Sequence, residues 1–245
     1  MVSAFKIHDT VLKVSIEALA LLPETPVIKD ENKLLSELVL CILSSQEKYE
    51  VALAIMKSLQ KENTLRIPKN RLDFKDTASR IKNILKKPVT FQFNGKNYSR
   101  RLRFYTKKAK YINGTLENIY LNKLTIKEIL NQEDCINETR KNIINYSLGI
   151  GPKQASMFLR NIGYYSEFAV LDKHVLDYMR LMGLISISGV SFSSILVYQK
   201  IENKLKSYAD SYKVNLLHLD LAIWTTMRTL KSITNETCNL SIRGY

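Results

Sequence analysis

Two helix-forming runs, Lys141 to Leu148 and Lys153 to Asn161, are separated only by Gly149-Ile150-Gly151-Pro152. That short break constrains the fold more than any other feature of the chain. A connection this short makes consecutive helices neighbours, so the segment is read as an αα-hairpin. Glycines at 149 and 151 permit positive φ and close backbone approach. Pro152 lies in the break between the two runs, where proline belongs. The amides that open the second helix have no intrahelical acceptor and point outward, a geometry that suits a phosphate. Taken alone, a Gly-x-Gly break is equally an ordinary hairpin turn.

The remainder of the chain reads as mostly helical. Glycine and proline number only 8 and 5 among 245 residues, too few for a turn-rich β fold. Pro23, Pro26, Pro68, Pro88 and Pro152 all fall between apolar-periodic segments. Helices are predicted over Leu34–Leu43, Val51–Leu59, Thr77–Leu85, Phe104–Ile119, Thr125–Leu130, His174–Met182, Ser194–Tyr208 and Asn215–Ser232, besides one near the N-terminus. Thr125 and Glu128 have capping-box spacing. Val89, Phe91 and Phe93 alternate with polar residues before Asn94-Gly95, which predicts one short β-hairpin. Ile185–Val190 reads as a loop or short extended piece, and Thr234–Tyr245 as a poorly ordered tail.

Charge narrows the function. Lys and Arg outnumber Asp and Glu by 37 to 23, a net +14. With 45% apolar residues the chain is no disordered polyelectrolyte. Thr77 to Leu116 holds eleven basic residues and no acidic one, interleaved with Tyr98, Phe104, Tyr105 and Tyr111. This excess implies a polyanion partner and argues against an enzyme of small neutral metabolites. Cys41, Cys135 and Cys238 are odd in number and widely spaced, so no disulfide scaffold, zinc site or iron–sulfur cluster is expected. His8 and His218 have no partners at metal-ligand spacing. The N-terminus is no signal peptide and no apolar run reaches a membrane span, so an intracellular location (cytoplasm or nucleoid) is expected.

Leu-Gly-Ile-Gly-Pro-Lys-Gln-Ala resembles the helix–hairpin–helix of the DNA glycosylase superfamily that includes endonuclease III. Four segments are similar to one branch, the second-type archaeal and bacterial 8-oxoguanine DNA glycosylase/AP lyases. They are GIGPKQASMFLRNIGY, AVLDKHVL, RLRFYTKKAKYI and LDLAIW. The similarity runs from about Leu34 to Trp224. It implies that Lys153 and Asp172, nineteen residues apart, are the catalytic pair. The chemistry fits those residue types. Breaking an N-glycosidic bond needs a nucleophile at the anomeric carbon and relief of oxocarbenium-like charge. A lysine in the first turn of a helix, desolvated by bound DNA, is driven toward the neutral amine. Asp172 would orient or deprotonate it and screen the cationic sugar. By residue type alone, Lys153 is also a solvated lysine and Asp172 a helix N-cap.

The resemblance extends to further residues. Gly149, Gly151, Lys107, Lys108 and His174 are assigned to DNA phosphates, with Phe104, Ala109 and Ile112 packing inward. Gln46 is assigned to the gap left by an everted nucleotide; without the resemblance it is a loop glutamine. Met157, Asp220 and Trp224 are assigned to the base pocket, Asp220 and Trp224 lying one turn apart on one face. Without the resemblance Met157 reads first as a core side chain, and Trp224 reads equally as one. Three departures matter: the chain lacks the four-cysteine cluster of endonuclease III relatives, Met157 stands where second-type enzymes carry a different polar side chain, and the chain continues beyond the tryptophan helix, where second-type enzymes end.

The expected architecture is a mostly α, two-lobed glycosylase fold with DNA bound across it. Residues 33–161 would form a central lobe containing the hairpin, and residues 1–32 with 162–245 the other. The expected function is excision of oxidised purine from double-stranded DNA with strand scission, by a monomer needing no cofactor or metal. A monofunctional glycosylase for another base, and a non-catalytic DNA-binding module, are the alternatives. A footprint of about 5–8 phosphates would give a log–log salt slope of roughly −5 to −7.

Overall fold

A computed structural model describes residues 3–18, 21, 26–93, 95–133, 135–164, 167–186 and 194–242. The described chain is mostly α-helical with one antiparallel hairpin of two strands. It divides into two compact units, Pro26–Tyr164, and Met1–Thr25 with Tyr165–Tyr245.

In the central unit, α2 (Glu31–Ser44) is the buried spine. Eight of its residues, Leu34 to Leu43 apart from Ser36 and Glu37, lie in the core. Asp30 caps it by accepting the Lys33 amide. Around α2 stand α3 (Tyr49–Lys61), α4 (Arg71–Lys86), α5 (Tyr105–Leu116), α6 (Ile126–Leu130), α7 (Ile136–Tyr146) and α8 (Pro152–Asn161). The Thr125–Glu128 capping box forms as the spacing predicts. Glu31 adds a second brace by accepting the Ile126 and Lys127 amides and the Tyr120 hydroxyl. The hairpin pairs β1 (Val89–Phe93) with β2 (Lys96–Arg100), and Gly95 adopts φ +73° in the turn. Phe91 stacks on its cross-strand partner Tyr98.

The other unit contains α1 (Ala4–Lys13), α9 (Lys173–Leu181), α10 (Ile195–Ser211) and α11 (Leu216–Ile242). Tyr178, Tyr198, Met179, Leu205, Leu219 and Ile223 centre its core. His8 of α1 joins the Tyr178 and Tyr208 hydroxyls at 3.2 and 2.8 Å.

Three local expectations need correction. α4 begins at Arg71, six residues before Thr77, because the Asn70 side chain accepts the Asp73 amide and starts a helix whose first turns are polar. α11 continues to Ile242, past the Ser232 end expected for that helix. Phe104 does not pack inward; it is 59% exposed, whereas Ala109 and Ile112 are buried as expected. Residues 187–190 of the predicted ISISGV loop, and 243–245, lie outside the described residues. No helix among the described residues is long and apolar enough to cross a membrane.

Candidate functional site

The hairpin between α7 and α8 is shaped by its neighbours in α5. Gly149 adopts φ +76°, and a Cβ there would lie 2.2 Å from Cδ2 of Tyr111. Gly114 makes room for Leu148 in the same way, since a Cβ on it would meet Leu148 Cδ1 at 2.3 Å. The Leu148 amide donates to Thr115 Oγ1 at 2.9 Å. Gly149 is therefore a glycine because α5 presses against it. Gly151 is different. It is the extended N-cap of α8, and a Cβ would find only Gln154 Oε1, at 3.8 Å. Pro152 takes the first helical position, which leaves the Lys153 and Gln154 amides at the open end of the helix.

A buried arginine fixes this turn. Arg140 of α7 is fully buried and donates to Ser156 Oγ at 2.9 Å; Ser156 Oγ in turn donates to the Pro152 carbonyl at 2.9 Å. The chain of bonds runs from one helix to the carbonyl beside Lys153. Lys153 is half-buried on α8, which packs on α2. Below lies Cys41, whose thiol is pushed well up by burial and by Glu37, against the opposing charges of Lys153 and Arg160. Burial also raises the Glu37 carboxyl, which accepts Asn161 Nδ2 at 2.8 Å. Met157, one turn beyond Lys153, is half-buried and outside the closed core.

In the other unit, Asp172 caps α9. Its Oδ1 accepts the His174 amide at 2.8 Å and the Val175 amide at 3.0 Å. The buried segment before it, Phe168 to Leu171, is pinned by three polar side chains. Glu202 accepts the Ala169 amide at 3.1 Å, and Asp220 accepts the Val170 amide at 3.1 Å. The Tyr198 hydroxyl accepts the Leu171 amide at 3.0 Å and donates to the Ala169 carbonyl at 2.7 Å. Asp220 is thus 2% exposed and engaged with backbone, which the base-pocket expectation did not foresee. Trp224 is half-buried, with the Arg228 guanidinium 4.7 Å from its ring centre. Burial draws the His174 imidazole below its usual range, opposed by Asp172 and Asp177 and reinforced by Lys231 and Arg228.

The basic stretch divides by face. Lys96, Arg101, Lys107 and Lys110 are exposed and form no ion pair among the described residues. Lys107 Nζ lies 5.6 Å from the Tyr111 ring. Lys108, expected beside it on DNA, turns inward. It is 3% exposed, Nζ donates to the Leu43 carbonyl at 2.6 Å, and burial pushes its ammonium down to about 8. It therefore braces the end of α2 and is withdrawn from any phosphate outside. Gln46 is exposed, in the loop between α2 and α3.

The sequence reading missed Arg140, Glu202 and Tyr198. Each belongs to a helix whose apolar stripe includes its position, and that placement was the available signal.

Residues 23–214 match the family described as 8-oxoguanine DNA glycosylase, Ogg-HhH. The chain belongs to this family. Among curated relatives, the 8-oxoguanine DNA glycosylase/AP lyase of Saccharolobus solfataricus is 32% identical over 198 residues, 80% of this chain and 83% of that protein. The enzyme of the same name from Sulfolobus acidocaldarius is 32% identical over 196 residues, covering 80% and 82%. Among solved structures, the Methanocaldococcus jannaschii 8-oxoguanine glycosylase/lyase bound to a 15mer DNA containing 8-oxoguanine aligns with a TM-score of 0.61. It shares 25% identity over 89% of this chain and 87% of that one. The Thermotoga maritima 8-oxoguanine DNA glycosylase, 23% identical with a TM-score of 0.58 over 90% and 86%, shares the fold. As a member of the Ogg-HhH family, the chain is a DNA glycosylase by family, and its α7–α8 turn is the segment whose sequence resembles a helix–hairpin–helix.

Proposed function

We propose that this protein removes 8-oxoguanine from double-stranded DNA and then cleaves the strand at the resulting abasic site. The observation that carries the reading is Lys153: a half-buried lysine in the first turn of α8, behind the family's hairpin, in a chain about one-third identical to named glycosylase/AP lyases across most of its length.

The neutral Lys153 amine attacks C1′ of the damaged nucleotide, forming a C–N bond as the glycosidic C–N bond breaks, and the purine leaves with the bonding electrons and a proton. Opening of the sugar ring breaks the C1′–O4′ bond, O4′ takes up the proton earlier removed from the ammonium to become a hydroxyl on C4′, and a protonated Schiff base is left on Lys153. Loss of a C2′ proton then expels the 3′ phosphate by β-elimination, and water releases the enzyme. Asp172, an acceptor when ionised, takes the ammonium proton from Lys153 and offsets charge on the sugar. The Gly151 end of α8, its Lys153 and Gln154 amides, Lys107 and His174 hold backbone phosphates. Gly149 acts indirectly by shaping the turn. Gln46 occupies the space of the everted base, while Trp224 and Met157 supply stacking faces to it. Asp220 acts indirectly, by accepting the Val170 amide in the segment ahead of Asp172.

Borohydride reduction during turnover tests this directly. The wild-type protein should become covalently joined to 8-oxoguanine duplex, and Lys153→Gln should not. Base release by wild type without any adduct would instead favour a monofunctional enzyme in which Asp172 activates water. Lesion-independent binding with no release would leave only a DNA-binding module.

A further inference from the structure

Five non-glycine residues among those described have positive φ: Gln46, Asn63, Phe104, Lys123 and Lys213. Asn63, Lys123 and Lys213 each follow a helical segment, where a left-handed residue is the common way to end one. Gln46 also follows a helix, but through an extended Ser45 in place of a near-helical cap, and Phe104 precedes a helix, so neither is that kind of helix end. Gln46 (φ +53°) is the third residue of a tight turn closed by the Glu47 amide on the Ser44 carbonyl, after Ser45 at φ −61°, ψ 121°. Glycine or asparagine is usual there. Phe104 (φ +53°, ψ 34°) precedes α5 with no side-chain cap, a rare conformation for an aromatic residue. Both side chains are exposed.

These two positions, 58 residues apart in sequence, are joined through one carboxylate. Glu47 Oε2 accepts the Arg103 amide at 2.8 Å, so the bond links the neighbour of Gln46 to the neighbour of Phe104. Glu47 Oε1 accepts the Lys48 amide at 2.9 Å and pairs with Arg100 at 3.3 Å. The Glu47 side chain is only 1% exposed. Lys108 braces the same assembly from beneath: its amide donates to the Phe104 carbonyl at 2.9 Å and its ammonium to the Leu43 carbonyl. A buried carboxylate between strained residues holds them because other side chains over-determine the backbone.

We propose that Glu47 is a positioning residue for base eversion, holding Gln46 and Phe104 outward as a preformed pair through its bonds to Arg103 and Arg100. This rests on the excision activity proposed above. An everted nucleotide leaves a hole in the duplex, and side chains already set in place fill it without being ordered during the reaction. Glu47 itself touches no DNA; it acts through its neighbours. Once the base is gone, the pair has less to do, so the device serves base release more than strand cleavage.

The test uses the full chain in single-turnover assays on two duplexes. One carries 8-oxoguanine opposite cytosine with 2-aminopurine beside that pair, the other a preformed abasic site. Glu47→Gln should slow base release at least tenfold and suppress the 2-aminopurine fluorescence change, while cleaving the abasic duplex within threefold of wild type. Added to a Gln46→Ala/Phe104→Ala background, it should slow base release less than twofold further. Arg100→Met, altered at the more accessible end of the ion pair, should show the same pattern at about threefold. Base release at the wild-type rate in Glu47→Gln would overturn the proposal. So would an equal loss on both duplexes, or the same slowing in the altered background. Absence of 8-oxoguanine release by wild type would instead overturn the excision reading on which the proposal stands.

Discussion

Replacing Gly149 by alanine separates two reasons for a glycine. The first is conformational: a left-handed residue with a Cβ costs about 1–2 kcal/mol, offset by about 0.4–1 kcal/mol from a stiffer unfolded chain. Gly95 isolates that effect, since it has φ +73° and a Cβ there would meet nothing within 4 Å. Gly95→Ala should therefore cost about 0–1.6 kcal/mol. Gly149→Ala carries the same strain, and in addition its Cβ would sit 2.2 Å from the Tyr111 ring. Forcing that ring aside adds about 1–3 kcal/mol, for a total of about 1–5 kcal/mol. Urea denaturation reads the difference: with a slope of about 2 kcal/mol per molar, the Gly149 variant should unfold roughly 0.5–1.5 M below the Gly95 variant. In a Tyr111→Ala background the excess should vanish, a coupling of about 1–3 kcal/mol. Equal midpoints for the two variants, or an excess that survives removal of Tyr111, would refute the packing argument.

Lys108 should give a pH signature. Its folded value of about 8 lies below the unfolded 10.5, so the folded state binds fewer protons between those values and stability rises with pH there. Wild type should gain about 3 kcal/mol relative to Lys108→Met from pH 8 to 10.5, with no change below pH 8; a flat or falling difference in denaturation midpoints would contradict this. Asp172→Asn should keep α9 capped and stay within about 1 kcal/mol of wild-type stability, while base release falls by about 100-fold or more in single-turnover assays. Tyr198→Phe leaves the Leu171 amide and Ala169 carbonyl without that hydroxyl, at about 1–3 kcal/mol for each group orphaned, and amide exchange should accelerate first at Leu171. Lys107→Ala should weaken all duplexes alike and make the salt slope shallower by about one; a lesion-selective loss would remove Lys107 from the phosphate contacts.

Much of the fold was legible because helix periodicity and punctuation agree. Asn94-Gly95 marked the hairpin, Pro152 marked the start of α8, and Thr125 with Glu128 marked α6. The start of α4 was hidden because its first turns carry Arg71, Asp73, Lys75 and Asp76, with the signal reduced to the Asn70 cap. Lys108 was misplaced by composition: a run of basic residues reads as one outward face. Yet Lys108 lies four residues before Ile112, itself four before Leu116, so the buried stripe of α5 passes through it. Asp220 and Arg140 hid the same way, as charged residues on apolar faces whose partners are backbone groups or side chains distant in sequence. The family resemblance assigned Lys153 and Asp172, whereas the carboxylate linking Gln46 to Phe104 required three-dimensional proximity.

The close fit of Gly149 against Tyr111 and of Gly114 against Leu148 bears on how DNA would be held. With no room for a methyl group at either glycine, close contact sets the span between α5 and the hairpin. Phosphate groups taken by Lys107 and by the α8 terminus would have to match that span, whatever sequence they belong to. Duplex that bends or unstacks easily, as DNA around a damaged base pair does, meets that span at lower deformation energy than sound duplex. Close packing at this turn would thus contribute to finding lesions, before any side chain has touched the altered base.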